Sequence, residues 1–207
     1  MTDNRPTGSA HIEPLALDSM GEMQEIIDAA QKASGYVPTS IRIMAHKPAI
    51  LSAFSNLIDA VLRQKSELSQ EVKWLTAYAV STAAGCRYCQ AHTAANGVKH
   101  GILIEKTPDI LNYRQCALFS EPERSVVEFA LAAGEVSNAM EGRHFNELRR
   151  HFTEGQIIEI AAVISLFGWL NRWNDTFASD LEGPPLAFAE KNLSDLGWIV
   201  GKHTTNL

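Results

Sequence analysis

The chain has 207 residues, 45% hydrophobic and 20% charged, enough for one domain with a full core or two closely packed halves. A formal net charge of −6 and a pI near 5.6 speak against nucleic-acid binding, which needs a basic patch, and no basic run of several residues occurs. No apolar run approaches the ~20 residues of a membrane span, and the N-terminal MTDNRPTGSAHIEP lacks the apolar centre of a signal peptide, so the expected setting is the cytoplasm.

Residues 1–17 are polar and proline-containing and predict a flexible N-terminal arm, leaving 18–207 as the folded domain. Ser19 and Glu22 have capping-box spacing, Met23, Ile26, Ile27 and Ala30 form a stripe, and Gly35 follows, which predicts a helix from Ser19 to Ser34. Tyr36-Val37-Pro38 reads as a turn before a short helical piece through Ile41 and Met44. Pro48 suits the first position of a helix carrying Leu51, Phe54, Ile58 and Leu62. Ser69 caps the next helix, which buries Val72, Leu75, Ala79 and Val80 and breaks at Gly85, and a second helix opens on Cys86 and ends around Gly97–Gly101.

Thr107-Pro108 predicts a short helix from Asp109 to Cys116. Ser120-Glu121-Pro122-Glu123 is a second capping box, Met140 to His151 a weaker helix, and Thr153 with Gln156 a cap for the longest apolar helix, Ile157 to about Phe177. Glu182-Gly183-Pro184-Pro185 reads as a break before a partly helical tail. With no period-2 alternation bounded by turns, the fold class is all-α. Trp74 precedes Cys86 by twelve residues and Glu159 precedes Asn171 by twelve, a faint sign of two helical half-repeats. The cysteine-bearing half would lie at about 36–105 and the second half at about 106–200.

The chemistry concentrates in Cys86-Arg87-Tyr88-Cys89-Gln90-Ala91-His92. Positions three apart share one helix face, so the two sulfurs can reach disulfide distance and the His92 imidazole can reach the second sulfur. Unpaired N–H groups and the dipole of a first helical turn favour thiolate. In a reducing compartment a C-x-x-C is catalytic or metal-binding rather than structural. A zinc site needs four ligands, and Cys86, Cys89 and His92 are too crowded to serve together, while Cys116, His100, His144 and His151 are scattered. Two buried cysteines packing as small hydrophobes is the third reading, and the polar neighbours Arg87, Gln90 and His92 argue against it. The preferred reading is a dithiol redox pair with His92 as proton acceptor, with no metal and, for want of a Gly-rich phosphate loop, no nucleotide or other cofactor. The polar cluster Asn171-Arg172-Trp173-Asn174-Asp175 either emerges into solvent or faces the site.

Around Gly85-Cys86-Arg87-Tyr88-Cys89-Gln90-Ala91-His92-Thr93 the chain resembles the carboxymuconolactone decarboxylase/alkylhydroperoxidase D (AhpD)-like superfamily, in its cysteine-bearing, peroxidase-related branch. Tyr36-Val37-Pro38, Leu68-Ser69, Glu123-Arg124 and Asn171-Arg172 extend the likeness over roughly 36–180. The resemblance implies an AhpD-like helical bundle assembling as a dimer, trimer or hexamer. It implies reduction of a small hydroperoxide, with Cys89 attacking, Cys86 resolving the sulfenic acid into a disulfide, and a lipoyl- or thioredoxin-type protein restoring the dithiol. The best-studied peroxidases of the family place the histidine four residues after the second cysteine, whereas His92 follows by three. They also carry a glutamate twelve residues before the first cysteine, where this chain has Trp74. Glu71, one turn earlier, and Glu159 from the second half are the candidate replacements. Two other functions fit the same sequence: a lyase or isomerase acting on a small lactone or acid, and a redox-sensing protein without turnover.

Overall fold

The computed structural model describes residues 9–204, and among them nine α-helices and no strand occur, as the all-α reading expects. In chain order they are α1 (Gln24–Ser34), α2 (Thr39–Met44), α3 (Pro48–Ile58), α4 (Gln70–Ala84), α5 (Arg87–Lys99), α6 (Glu121–Gly134), α7 (Gly142–Leu148), α8 (Glu154–Phe177) and α9 (Gly183–Asn192). α4 is the helix the others surround. Leu75, Ala77, Ala79 and Val80 are at most 1% exposed, and α4 packs against α5, α6 and α8. The small residues on α4 permit that crowding; a Cβ at Gly134 would lie 2.9 Å from the Ala83 Cβ and 3.1 Å from Val80.

The helix starts follow local hydrogen-bond chemistry. Ser69 Oγ accepts from the Val72 N–H at 3.2 Å, and Ser120/Glu123 and Thr153/Gln156 both close reciprocal capping boxes. The expected box at Ser19 does not form, and that helix begins later. Leu17–Met23 is a 3₁₀ segment kinked at the fully buried Met20, and α1 starts at Gln24. Core insertion of one methionine overrides a cap worth about 1 kcal/mol. The helix expected from Asp109 to Cys116 reduces to a 3₁₀ turn at Ile110–Asn112, and the one expected from Met140 to His151 shortens to α7.

The N-terminal stretch read as a flexible arm is packed from Ser9 onward, while residues 1–8 lie outside the described residues. Ala10 is 1% exposed, the Ser9 N–H donates to Asp180 at 2.8 Å, and the His11 N–H donates to the Phe177 carbonyl at 2.8 Å. These contacts hold the end of α8, which turns at Ala178 in the left-handed region (φ 49°) and leads into Glu182.

Candidate active site

Gly85 ends α4 in the left-handed region (φ 72°), a conformation open to glycine at little cost, and so turns the chain directly into Cys86. Cys86 is the N-cap of α5, and its sulfur accepts from the Cys89 N–H at 3.5 Å. Both sulfurs belong to free, buried cysteines, 1% and 2% exposed. The pair thus spans the N-cap and the first turn of α5, with the Cys86 backbone extended (φ −76°, ψ 106°) just outside the helix. The Cys89 thiol donating to its sulfur holds the Cys86 thiol down at about 6, against burial and with help from His203 and the Cys89 N–H. Burial first, then the hydrogen bond to Cys86 and its charge, push the Cys89 thiol well above its usual range. At rest the proton of the pair belongs to Cys89, and Asn174 Nδ2 donates to that sulfur at 3.6 Å.

Cys89 and His92 line one wall of a cavity of about 710 Å³, with Tyr88 and Asn174 beside them. Phe54, Ile58, Leu62, Trp74, Phe167 and Leu170 supply its apolar lining, a volume and character suited to a small organic molecule. Trp74 stands where the family's peroxidases carry a glutamate; its ring stacks on His100 at 5.7 Å and meets Phe167 edge-on at 6.1 Å.

His92 is oriented from both ring nitrogens. Nε2 lies 2.7 Å from Glu182 Oε2 and Nδ1 lies 3.2 Å from the Tyr36 hydroxyl. With Nε2–H donated to the carboxylate, Nδ1 accepts from the Tyr36 hydroxyl when the ring is neutral and donates to its oxygen when the ring is protonated. Glu182 Oε1 accepts from the Tyr88 hydroxyl at 2.8 Å and the Thr39 N–H at 2.5 Å. Burial alone would raise the Glu182 carboxyl; the charge and hydrogen bond of His92 and the Thr39 N–H outweigh it and hold the carboxyl below its ordinary range. Burial, followed by the Glu182 charge, pushes the Tyr88 hydroxyl well above its usual range, so Tyr88 remains a donor.

The two glutamates proposed to replace the family residue stand elsewhere. Glu71 lies 3.9 Å from Lys106 Nζ and is about 42% exposed along its side chain. Glu159 accepts from the Glu67 and Leu68 N–H groups at 3.3 and 3.2 Å and faces Lys73 at 3.9 Å. Neither lines the cavity that Cys89 and His92 share. The carboxylate on His92 comes instead from Glu182, which the sequence presents only as a break at Glu182-Gly183-Pro184-Pro185. Its signal was weak but physical: Glu182 precedes two prolines in a first helical turn, where a carboxylate is expected to cap, yet its side chain makes no cap bond.

On the far side of the pair the tail residues return. Trp198 Nε1 donates to the Arg87 carbonyl at 3.2 Å, and His203 Nδ1 lies 2.9 Å from the Ser179 carbonyl. Among the described residues, Cys86, Asp175 and His203 have side-chain donor atoms within 4.8 Å of one another. That is three groups where a structural zinc takes four, and Asp175 is already paired with Lys202 at 2.9 Å. Of the polar cluster ending α8, Asn174 and Asp175 thus face the dithiol, and Asn171 is buried.

The profile described as carboxymuconolactone decarboxylase family matches residues 48–132. The crystal structure of the debrominase Bmp8 is similar with 30% identity over 86% of this chain and 95% of that one, at a TM-score of 0.77. A Cys→Ala variant of Bmp8 in complex with 2,3,4-tribromopyrrole superimposes at 0.79. An AhpD-core, peroxidase-related protein from Ralstonia eutropha shares the fold at 24% identity and a TM-score of 0.71, over 87% of this chain and 95% of that one. The uncharacterized protein YnjA of Escherichia coli (strain K12) is 25% identical over 149 residues, 72% of this chain and 82% of its own length.

Proposed function

The chain belongs to the carboxymuconolactone decarboxylase/AhpD-like superfamily, and from that premise we propose that it is a dithiol oxidoreductase reducing small organic hydroperoxides. The observation that carries this reading is the cavity that meets Cys89 and a doubly oriented His92, with Cys86 directly behind. Cys89 attacks the outer peroxide oxygen as its proton passes to the Cys86 thiolate. The O–O bond breaks, Cys89 becomes a sulfenic acid, and His92, which enters the step as an imidazolium beside the Glu182 carboxylate, gives a proton to the departing alkoxide and is left neutral. Cys86 then displaces hydroxide to form the disulfide, and a lipoyl- or thioredoxin-type dithiol restores the pair. The reaction belongs to the cytoplasm, where thiols are kept reduced.

The test is peroxide consumption with a dithiol reductant in wild type, Cys89→Ser and Cys86→Ser. Multiple turnovers, their loss in Cys89→Ser and a trapped sulfenic acid in Cys86→Ser are expected. No turnover in wild type, despite a Cys86–Cys89 disulfide, would reject the peroxidase.

The likeness to Bmp8 favours one further reading, reductive dehalogenation of a small aromatic. The same two thiols supply two electrons, carbon–halogen becomes carbon–hydrogen, halide and a proton leave, and the dithiol closes to a disulfide. Bromide release from a bromopyrrole, with no peroxide turnover, would replace the first reading by this one.

A further inference from the structure

We propose that His203, in the C-terminal tail, is the proton acceptor that frees Cys86 to close the disulfide. Cys86 does not line the cavity, so the His92–Glu182 pair serves Cys89, and a second group is needed behind. His203 is 1% exposed. Its Nδ1–H donates to the Ser179 carbonyl, which leaves Nε2 as the basic nitrogen, and that buried atom has no hydrogen-bond partner. The reacting sulfur of Cys86 and an Asp175 oxygen lie within 4.8 Å of His203, and Asp175 Oδ1 is 3.6 Å from Nε2.

The position is built rather than incidental. The Leu181 N–H donates to the His203 carbonyl at 2.9 Å, and Trp198 anchors the tail to the start of α5. The groups facing the imidazole are Cys86 and, behind it, Cys89 from α5, the Tyr88 ring at 5.7 Å, Asp175 from α8, and Lys202 through Asp175. Asp180, in the adjoining loop, is taken by Ser9. The inference rests on the dithiol reading and holds for either substrate.

In the peroxide case Cys86 carries a proton after the first step, received from Cys89. That proton moves to His203 Nε2. The Cys86 thiolate then attacks the Cys89 sulfur, the S–S bond forms, the S–O bond breaks, and the hydroxide leaves as water with a proton from His92, which has taken up a second one from solvent after giving its first to the alkoxide. Asp175, about half exposed and 3.6 Å from Nε2, opens a route for its proton to solvent.

The experiment uses the full chain with Cys116→Ser and Cys89→Ser, so that Cys86 is the sole thiol, and follows its alkylation by iodoacetamide against pH. His203→Asn keeps an amide donor for the Ser179 carbonyl and removes the basic nitrogen. His203→Gln places a non-titrating amide at the other ring position. Both are expected to move the alkylation midpoint upward and to slow alkylation at pH 7 roughly tenfold. With both redox cysteines present, His203→Asn is expected to accumulate dimedone-reactive sulfenic acid at Cys89 and to close the disulfide roughly tenfold more slowly. An unmoved midpoint in a variant with native circular dichroism overturns the proposal, since a purely structural role would change only the melting temperature.

A second measurement needs no change at His203. Its ¹⁵N titration in the sole-thiol protein should shift to lower pH when Cys86→Ala removes the thiolate, and an unshifted titration overturns the proposal. Absence of any Cys86–Cys89 disulfide in oxidised wild type would reject the dithiol reading itself, with the alkylation result still deciding the role of His203.

Discussion

Glu182 is the N-cap of α9, yet its carboxylate turns away from its own helix and holds His92, Tyr88 and the Thr39 N–H. A buried carboxylate with three donors is a strong orienting group for an imidazole, and removing it should cost rate more than binding. Glu182→Gln is expected to lower kcat for peroxide at least tenfold with a small change in KM, measured by steady-state kinetics. Glu71→Gln and Glu159→Gln should stay within about twofold of wild type in the same assay, because neither side chain lines the cavity. Loss of rate in either would restore it as a relay. The depressed Glu182 carboxyl also sets a stability trend. Its folded pKa lies below its unfolded value of about 4.3, so the stabilisation is complete above that pH and is lost as pH falls through the folded value. Glu123, where burial is outweighed by Lys106 and the Ser120 N–H, adds the same sign. Melting temperature should therefore fall between pH 5 and 3 (about one unit either side of the free carboxyl value), and Glu182→Gln should flatten part of that fall.

At the scale of elements, helix ends and close approaches decide stability. Ser120 and Thr153 each satisfy an N–H of the first turn and receive a reciprocal bond, so Ser120→Ala or Thr153→Ala should cost about 1 kcal/mol in urea unfolding. Gly134 permits α6 to lie on α4 at Val80 and Ala83, and Gly134→Ala should cost about 1–3 kcal/mol by forcing the helices apart. A substitution there with no loss would show that the pair can shift freely. Cys86 is a cap of another kind: one sulfur ends the Gly85 turn, accepts the Cys89 N–H, and carries the thiolate. Structure and reactivity share that atom, and the sequence displays both roles because C-x-x-C at a helix start is a local pattern.

For the whole molecule, the apolar cavity and the exposed apolar face beside it carry the predictions. Trp74 fills the family glutamate's place with cavity wall, so Trp74→Ala should raise KM for cumene hydroperoxide more than for hydrogen peroxide, read from parallel assays. Ile50 and Leu57 are 45% and 47% exposed on α3, and Trp169, 37% exposed, stacks on Phe54 at 4.7 Å. That face fits the homo-oligomer expected of the chain, and Leu57→Glu should lower the mass seen by light scattering. An unchanged mass would move the interface elsewhere. No helix among the described residues is long and apolar enough to cross a membrane.

The all-α class, most helix starts and the opening of α5 on Cys86 are legible in the sequence, since each depends on bonds or spacings within a few residues. It erred where distant packing competes with a local signal, as at Ser19, where insertion of Met20 outweighs a cap. It also had no means of selecting Glu182, which meets His92 across 90 residues of chain, or Asn174, which meets Cys89 across 85. Nor did it distinguish His203 from the other histidines. Those partners are chosen by the way α8, α9 and the tail return over the start of α5. A carboxylate or imidazole becomes part of the site only when burial removes competing water and leaves the dithiol and His92 as its neighbours.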